Sequence, residues 1–108
     1  MLCAHTVRRL KPGTFDDFAK AFSPPDDVVA PTGWVRFVML RPRAGAATDD
    51  DVVITFGFFD GTIEELNASQ DDHGYADQVK AAAQYVDYVV ANGVYDVVVD
   101  RNAEVARA

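Results

Sequence analysis

The most informative stretch of the chain is the apolar run DVVITFGFFDGTIEEL at residues 51–66. Side chains at alternate positions of a strand point to opposite faces, and here neither set is polar enough to face solvent. One set consists of Val52, Ile54, Phe56 and Phe58, and the other of Val53, Thr55, Gly57 and Phe59. The pattern predicts a central strand that leads into a helix and is covered on both faces. Because a chain of this size can lay helices on one face only, we expect a second copy of the sheet to cover the other.

The first half of the chain predicts a strand, a helix and a second strand. Residues 2–10 are nearly neutral over their first two-thirds, which favours a central strand and leaves the Arg8-Arg9 pair at a solvated strand end. Thr14 and Asp17 fit a capping box, and phenylalanines at positions 15, 18 and 22 give the helix an aromatic stripe. Residues 34–41 predict a strand, and its arginines at positions 36 and 41 indicate an edge.

The second half predicts two helical stretches and a last strand. Thr62 and Glu65 fit a second capping box, and the helix that follows breaks before Tyr75. From Tyr75 a longer helical pattern resumes. Its apolar face consists of Val79, Ala82, Val86 and Val89. Asn92-Gly93 is either a helix C-cap or a hairpin turn, and after a helical pattern the C-cap is favoured. Residues 94–100 then form a half-exposed edge strand.

The order of these elements predicts an α+β fold. Strand, helix, strand, strand, helix, strand is the ferredoxin-like βαββαβ split sheet, with strand order 4-1-3-2 and strands one and three in the centre. The chain has 108 residues, enough for one core and too few for two, so we expect a single domain over residues 1–108.

Charge and cysteine content narrow the function classes. The formal net charge of −7 argues against binding to the phosphate backbone of nucleic acids or to an anionic membrane surface. The chain has one cysteine, Cys3, which cannot form an internal disulfide. With no secretory signal pattern and no apolar run of membrane-spanning length, we expect a cytoplasmic protein with a reduced thiol.

Four groups of residues together carry a resemblance to a known family. They are KPGTFDDF at residues 11–18, Gly33-Trp34, TFGFFDGT at 55–62 followed by EEL at 64–66, and YVD at 85–87 before GVYDVV at 93–98. These segments, which span nearly the whole chain, resemble the dimeric α+β barrel proteins related to antibiotic biosynthesis monooxygenases. The resemblance implies a homodimer in which two split sheets pack face to face into a barrel. It also implies a pocket between the sheet and the helices of each subunit.

The activities that the resemblance implies are diverse. They include cofactor-independent oxidation of phenolic or quinol-like molecules, haem degradation, and small isomerase or lyase reactions, and the fold does not select among them. The similar haem-degrading branch uses an Asn on the first strand, a Trp on the helix after the third strand and an iron-ligating His further on. Here Thr6 and Leu66 occupy the first two positions and His73 lies near the third, which argues against haem chemistry.

The candidate site residues follow from their chemistry. His73 lies in the break between helices and could act as a base, although an exposed loop histidine without a catalytic role is the favoured interpretation. Arg36 could stabilise an oxyanion, or it could pair with an acid or reach solvent. The aromatic residues that suit the lining of a pocket for a flat ligand, or alternatively plain core, are Trp34, Phe58, Tyr75 and Tyr85. The Asp71-Asp72-His73 cluster lacks a partner elsewhere, so no metal site is predicted.

Two functions remain open at this point. In the first, a homodimeric monooxygenase-like enzyme oxidises an aromatic or quinol-type molecule: a base removes a phenolic proton and the substrate anion reacts with oxygen, so neither a metal nor a flavin is required. In the second, a non-catalytic dimeric domain binds a hydrophobic small molecule or serves in assembly. The second is favoured by the absence of any close pairing of nucleophile, base and acid.

Overall fold

The computed structural model describes residues 1–22, 33–43, 51–70 and 75–101, with the backbone alone for residues 75 and 76. The elements in these ranges are β1 (Leu2–Leu10), α1 (Phe15–Phe22), β2 (Trp34–Leu40), β3 (Val52–Phe59), α2 (Ile63–Gln70), α3 (Tyr75–Ala83) and β4 (Val86–Asp96). None of the helices in the described ranges combines the length and the apolar character needed to cross a membrane.

The strands form an antiparallel sheet in the order β2-β3-β1-β4. This is the predicted order 4-1-3-2 read from the opposite edge, so the ferredoxin-like α+β fold is confirmed. The nearly neutral β1 and the apolar β3 lie in the centre, where backbone groups are paired on both sides. Strand β2 lies at an edge, as its arginines predicted.

The face of the sheet that carries the helices holds the core. Buried residues on this face are Leu10, Val53, Thr55 and Phe59. Phe18 and Phe22 of α1 stack over it with their ring centroids 5.4 Å apart, and Phe18 is fully buried. Burial of an aromatic side chain of this kind contributes roughly 2 to 3 kcal/mol. The aromatic stripe of α1 therefore anchors this helix on the sheet, and α1 packs in turn against α3.

Only one of the two predicted capping boxes forms. At the start of α2, the Glu65 N–H donates to Thr62 Oγ1 at 3.1 Å, and the Thr62 N–H donates to Glu65 Oε1 at 3.0 Å. At the start of α1, the Thr14 hydroxyl donates instead to the Lys11 carbonyl at 2.7 Å. The reason is the intervening turn, where Gly13 takes a φ of 75° and brings that carbonyl within reach.

The main departure from the sequence prediction concerns the segment from residue 86 to residue 93. It was predicted to continue a helix and to end it at Asn92-Gly93, but it lies within β4, and α3 ends at Ala83. Two register shifts against β1 each add one residue to β4, Val90 and Asp87. Val86, Val89 and Asn92 therefore share one face at intervals of three, a spacing that mimics a helix. The predicted strand at residues 94–100 is correct only over residues 94–96, since β4 begins earlier, at Val86, and ends at Asp96.

Candidate functional site

A cavity of about 470 Å³ lies between the sheet and the helices, on the side of β1 and β4. Its walls come from β1, β4, α1, α3 and the last residue of α2. The apolar lining includes Ala4, Phe22, Val79, Ala82, Val86 and Val89. Pockets for small molecules have volumes of about 300 to 1,000 Å³ and mostly apolar walls. This cavity therefore has the size and lining of a small-molecule site.

The cavity lies over β1 and β4 because the other half of the same face is filled. Trp34 of β2 lies across Gly57 of β3 so closely that a Cβ at Gly57 would come within 2.5 Å of the indole ring. The indole N–H donates to Ser69 Oγ of α2 at 2.9 Å, and the ring meets Phe59 edge to face at 5.2 Å. Over β1 and β4, by contrast, the sheet residues that line the cavity include Ala4, Val86 and Val89 and no aromatic ring, which leaves space between the layers.

Polar atoms are concentrated on the sheet wall of the cavity. Thr6 of β1 stands opposite Asn92 of β4 in the strand register, and its hydroxyl donates to Asn92 Oδ1 at 3.3 Å. Arg8 follows two positions along β1 on the same face and also lines the cavity. A few convergent polar groups in an otherwise apolar cavity orient a bound ligand.

Arg8 is held on both sides by its neighbours. Its Nη1 donates to Thr55 Oγ1 at 3.0 Å, and Thr55 is a buried polar residue of β3 with 5 % exposure. Its guanidinium carbon lies 4.8 Å from the ring centroid of Phe22 and 5.7 Å from that of Phe18, within the range of cation–π attraction. The guanidinium is thus fixed at the boundary between the polar wall and the aromatic wall.

The first bulge of β4 lies beside Arg8. The shift occurs between Val7 and Arg8, where the register passes from Ala91 directly to Val89 and leaves Val90 as the extra residue. Bulges concentrate next to active sites because they redirect side chains. Here the bulge turns Val89 into the cavity beside Arg8 while keeping Asn92 on the same wall.

The structure separates the predicted site residues. Trp34 and Tyr85 lie on the helix-bearing side, but neither lines the cavity: Trp34 fills the far half, and Tyr85 packs against the core cluster. Arg36 and Phe58 are register partners on the other face of the sheet. His73 lies outside the described residues, and so does the side chain of Tyr75.

Three polar residues on the sheet wall of the cavity were not predicted as site residues: Thr6, Arg8 and Asn92. The interpretation of Arg8 as part of a solvated strand end is wrong, because its position on β1 has the same parity as the buried Leu10 and faces the helices. That parity was the available signal. Asn92 was hidden by the bulges, which made it look like a helix cap.

The other face of the sheet, called the open face here, carries no helix within the described residues. It includes Cys3, His5, Val7, Leu40, Ile54, Phe56, Phe58, Tyr88 and Tyr95. The His5 ring lies 4.8 Å from that of Phe56 and 6.0 Å from that of Tyr95. Tyr88 and Tyr95 are 54 % and 55 % exposed, and partial burial raises the pKa of the Cys3 thiol. The open face is thus a contiguous, partly exposed apolar surface.

No metal-binding cluster occurs among the residues that the structure describes. In these ranges no three His, Cys, Asp or Glu side chains come together.

Comparison with known proteins rests on structure, since no protein-family model and no curated protein sequence matches this chain. A protein from Chloroflexus aurantiacus J-10-fl, named provisionally as an antibiotic biosynthesis monooxygenase, superposes with a TM-score of 0.73 at 14 % identity, covering 94 % of this chain and 96 % of its own. A protein of the same provisional name from Nitrosomonas europaea superposes with a TM-score of 0.70 at 14 % identity, covering 92 % of this chain and 100 % of its own. A conserved protein from Methanosarcina mazei Go1 superposes with a TM-score of 0.66 at 8 % identity, covering 87 % of this chain and 89 % of its own. The resemblance predicted from the sequence is therefore confirmed at the level of structure, and the chain has the fold of antibiotic biosynthesis monooxygenase-like proteins.

Proposed function

We propose that the protein is a homodimeric, cofactor-independent monooxygenase-like enzyme that acts on a flat aromatic or quinol-type molecule in the cavity. The observation that carries the proposal is the cavity itself, with apolar walls, one polar wall and a volume of about 470 Å³. The shared fold with proteins named as antibiotic biosynthesis monooxygenases supports the reaction class by analogy.

In the proposed reaction a phenol loses its proton, and the phenolate reacts with molecular oxygen. One oxygen atom enters the ring, and the other leaves as water with two hydrogen atoms of the substrate, so that the phenol becomes a quinone. The chain would bind the ring against Phe22 and the valines of β4 and would orient the phenolic oxygen at Thr6 and Asn92. The role of His73 as base stays a prediction. So does that of Arg36 as oxyanion partner, which lies on the other face of the sheet from this cavity.

The homodimer in this proposal forms through the open face. The rings of β4 on this face are more than half exposed, although they belong to an otherwise apolar surface. Contiguous apolar surfaces of this kind mark interaction sites. Packing of two copies face to face would cover both at once, since a symmetric dimer uses the same patch twice.

The enzyme proposal is tested by turnover in a variant with a filled cavity. A panel of naphthols and quinols is screened for oxygen consumption and quinone absorbance. We expect Val89→Phe, which places a ring in the cavity, to lower turnover at least about tenfold. Val90→Phe is the matched control, because Val90 is as exposed as Val89 (53 % against 52 %) but does not line the cavity. Equal loss in both variants, or no turnover of any compound by the unmodified protein, would contradict the proposal.

A second candidate function is non-catalytic binding of a small molecule in the same cavity. It is favoured by one observation: among the described lining residues, none is an acid or base with an ordinary pKa near neutrality. In that case calorimetry would detect binding of the same naphthols, lost in Val89→Phe, without any consumption of oxygen.

A further inference from the structure

We infer that Asn92 is the residue of the cavity wall that stabilises the ionised form of a bound phenol, and that the Thr6 hydroxyl positions its amide group. The inference rests on the proposed function, since it concerns the same cavity and the same phenolic ligand. It goes beyond that function because it names the group that favours loss of the phenolic proton before oxygen reacts.

Thr6 and Asn92 hydrogen-bond to each other in a way that leaves donors on the cavity wall. The Thr6 hydroxyl donates to Asn92 Oδ1 at 3.3 Å, so the hydroxyl proton and the carbonyl end of the amide are engaged. The other end of the amide is Nδ2, which carries two N–H donors. Within the described ranges no other residue hydrogen-bonds to the Asn92 side chain, which leaves these donors to a ligand in the cavity.

The amide of Asn92 is held in place by its neighbours. Asn92 stands opposite Thr6 in the strand register, and the bulge at Val90 keeps it on the cavity side of β4. Acceptance of the Thr6 proton by Oδ1 determines which end of the amide is the donor end. It also strengthens the Nδ2 donors, because hydrogen bonds in a chain polarise one another. A donor fixed in this way needs little reorganisation when negative charge develops on a ligand oxygen.

The lining of the cavity makes stabilisation of the anion the main way to ionise a phenol. Among the described lining residues, none is a base with an ordinary pKa near neutrality. When the phenolic O–H bond breaks, the electron pair stays on the oxygen, and the proton passes to water at the exposed side of Asn92. A hydrogen bond to a charged acceptor is roughly twice as strong as one to a neutral acceptor. Donation from Nδ2 therefore favours the phenolate over the phenol.

Arg8 is the charged residue among the described lining residues, and its positive charge also favours an anion. Its guanidinium already donates to Thr55 and lies against the aromatic rings of α1, so the inference includes no hydrogen bond from Arg8 to the ligand. Arg8 is the same in every variant of the test. Differences between the variants therefore measure the contributions of Asn92 and Thr6.

The test measures the pKa of a bound phenol by absorbance, with 7-hydroxycoumarin as the probe and the full chain in excess. The phenol and phenolate forms of this flat, two-ring compound absorb at different wavelengths. We expect Asn92→Leu, which removes the donors and keeps the side-chain volume, to raise the pKa of the bound probe by about one unit, a tenfold lower ratio of phenolate to phenol. Asn92→Asp should raise this pKa further, because a negative oxygen replaces Nδ2 while the acceptor for Thr6 remains.

The role of Thr6 is tested with the same probe. Thr6→Val keeps the branched shape and removes the hydroxyl that positions the amide, so the pKa of the bound probe should rise by about half a unit. Thr6→Ser restores the hydroxyl and should return this pKa to its value in the unmodified protein. A purely structural role of Thr6 would change the affinity for both forms of the probe alike and leave the pKa unchanged.

Asn67→Asp is the matched control. Asn67 is exposed on α2 and does not line the cavity, so this variant makes the same chemical change and adds the same charge elsewhere. It should leave the pKa of the bound probe unchanged. Circular dichroism and the melting temperature verify that each variant folds.

The outcomes separate this inference from the proposed function. An equal pKa of the bound probe in the unmodified protein, Asn92→Leu and Asn92→Asp would overturn the role of Asn92 while leaving the cavity as a phenol site. 7-Methoxycoumarin cannot ionise and should bind to the unmodified protein and to Asn92→Leu with affinities within about twofold. A tenfold loss of its affinity would also overturn the inference, since Asn92 would then act on neutral ligands. Absence of binding of both compounds to the unmodified protein would overturn the inference together with the proposed cavity function.

Discussion

The two faces of the sheet are built from similar residues and differ in how they are covered. Along β3, one set of alternate positions is buried beneath the helices, and the other set is only half-buried on the open face. Since both sets are apolar, composition does not explain the difference. What differs is the cover: the helices described here lie on one face alone. The strand therefore carries apolar residues for a second layer that the described part of the chain does not supply.

A second contrast lies within the helix-bearing face. Over β2 and β3, the Trp34 ring and Gly57 fit closely, and the space is filled. Over β1 and β4, the sheet residues that line the cavity include no aromatic ring. One large residue against one glycine closes half of the layer, and the lack of such a ring leaves the other half open. The distribution of side-chain volume, more than hydrophobicity, thus determines where a ligand could bind.

The largest expected effect concerns the core on the helix-bearing face. Phe18→Ala removes a fully buried ring on the helix side and should lower the free energy of unfolding by about 3 to 5 kcal/mol, measured by urea denaturation. Phe15→Ala on the same helix is the control, because Phe15 is only partly buried and lies against the Arg41 guanidinium at 4.6 Å. A loss as large in Phe15→Ala would contradict the assignment of Phe18 as the anchor.

The next effect concerns the open face. Phe56→Asp places a charge at its centre, next to His5, and should weaken self-association about a hundredfold or more, measured by sedimentation equilibrium. The physical reason is that two copies would each bury an unpaired carboxylate at the interface.

The single cysteine gives an independent readout of the same change. If a second copy covers the open face, Cys3 should react with a thiol reagent severalfold faster in Phe56→Asp than in the unmodified protein at equal concentration. Identical sedimentation and identical labelling rates in both proteins would refute the face-to-face dimer.

A smaller effect tests the filled half of the helix-bearing face. Gly57→Ala forces a methyl group against the Trp34 ring and should cost about 1 to 3 kcal/mol of unfolding free energy. In a Trp34→Leu background the same change should cost clearly less, since the ring that it meets is gone. A double-mutant cycle measures the coupling, and additive losses would show that the contact does not limit this position.

The smallest effect is local to α2. Thr62→Ala removes the acceptor of the Glu65 N–H and should cost about 1 kcal/mol, whereas Thr62→Ser keeps the hydroxyl and should change stability little. Thermal denaturation of both variants at equal concentration provides the measurement. Equal destabilisation by both would mean that the reciprocal cap adds nothing to the fold.

Most of the fold could be predicted from the sequence, for reasons that particular residues illustrate. β1 was predicted with its observed bounds, and β3 was recognised as a central strand, because their alternation follows the regular two-residue repeat of a strand. The cap at Thr62 could be predicted because its partners are three residues apart in the chain. The first half of β4 could not be predicted, because its bulges depend on pairing with a distant strand and leave a false helical period in the sequence.

The candidate site was less predictable than the fold. Trp34 was expected to line a pocket, but its ring volume fills the layer against Gly57, a contact between two strands that no local pattern records. The position of Arg8 could have been predicted, since Arg8 and Leu10 lie on the same face of β1. A charged residue near a strand end, however, usually indicates exposure to solvent. His73, the predicted base, lies outside the described residues.

The bulges in β4 have one further consequence, for how the strand could be engineered. Val86, Val89 and Asn92 face the cavity, whereas Tyr88, Ala91 and Tyr95 face the opposite side. Substitution in the first group would alter the cavity wall, and substitution in the second would alter the open face. Deleting Val90 would restore the two-residue repeat across the first bulge and leave the residues on both flanks facing the same sides as before, because Val90 is the residue without a register partner in β1. Val90 is thus an extra residue that β4 accommodates while the two sets of side chains stay on their own faces.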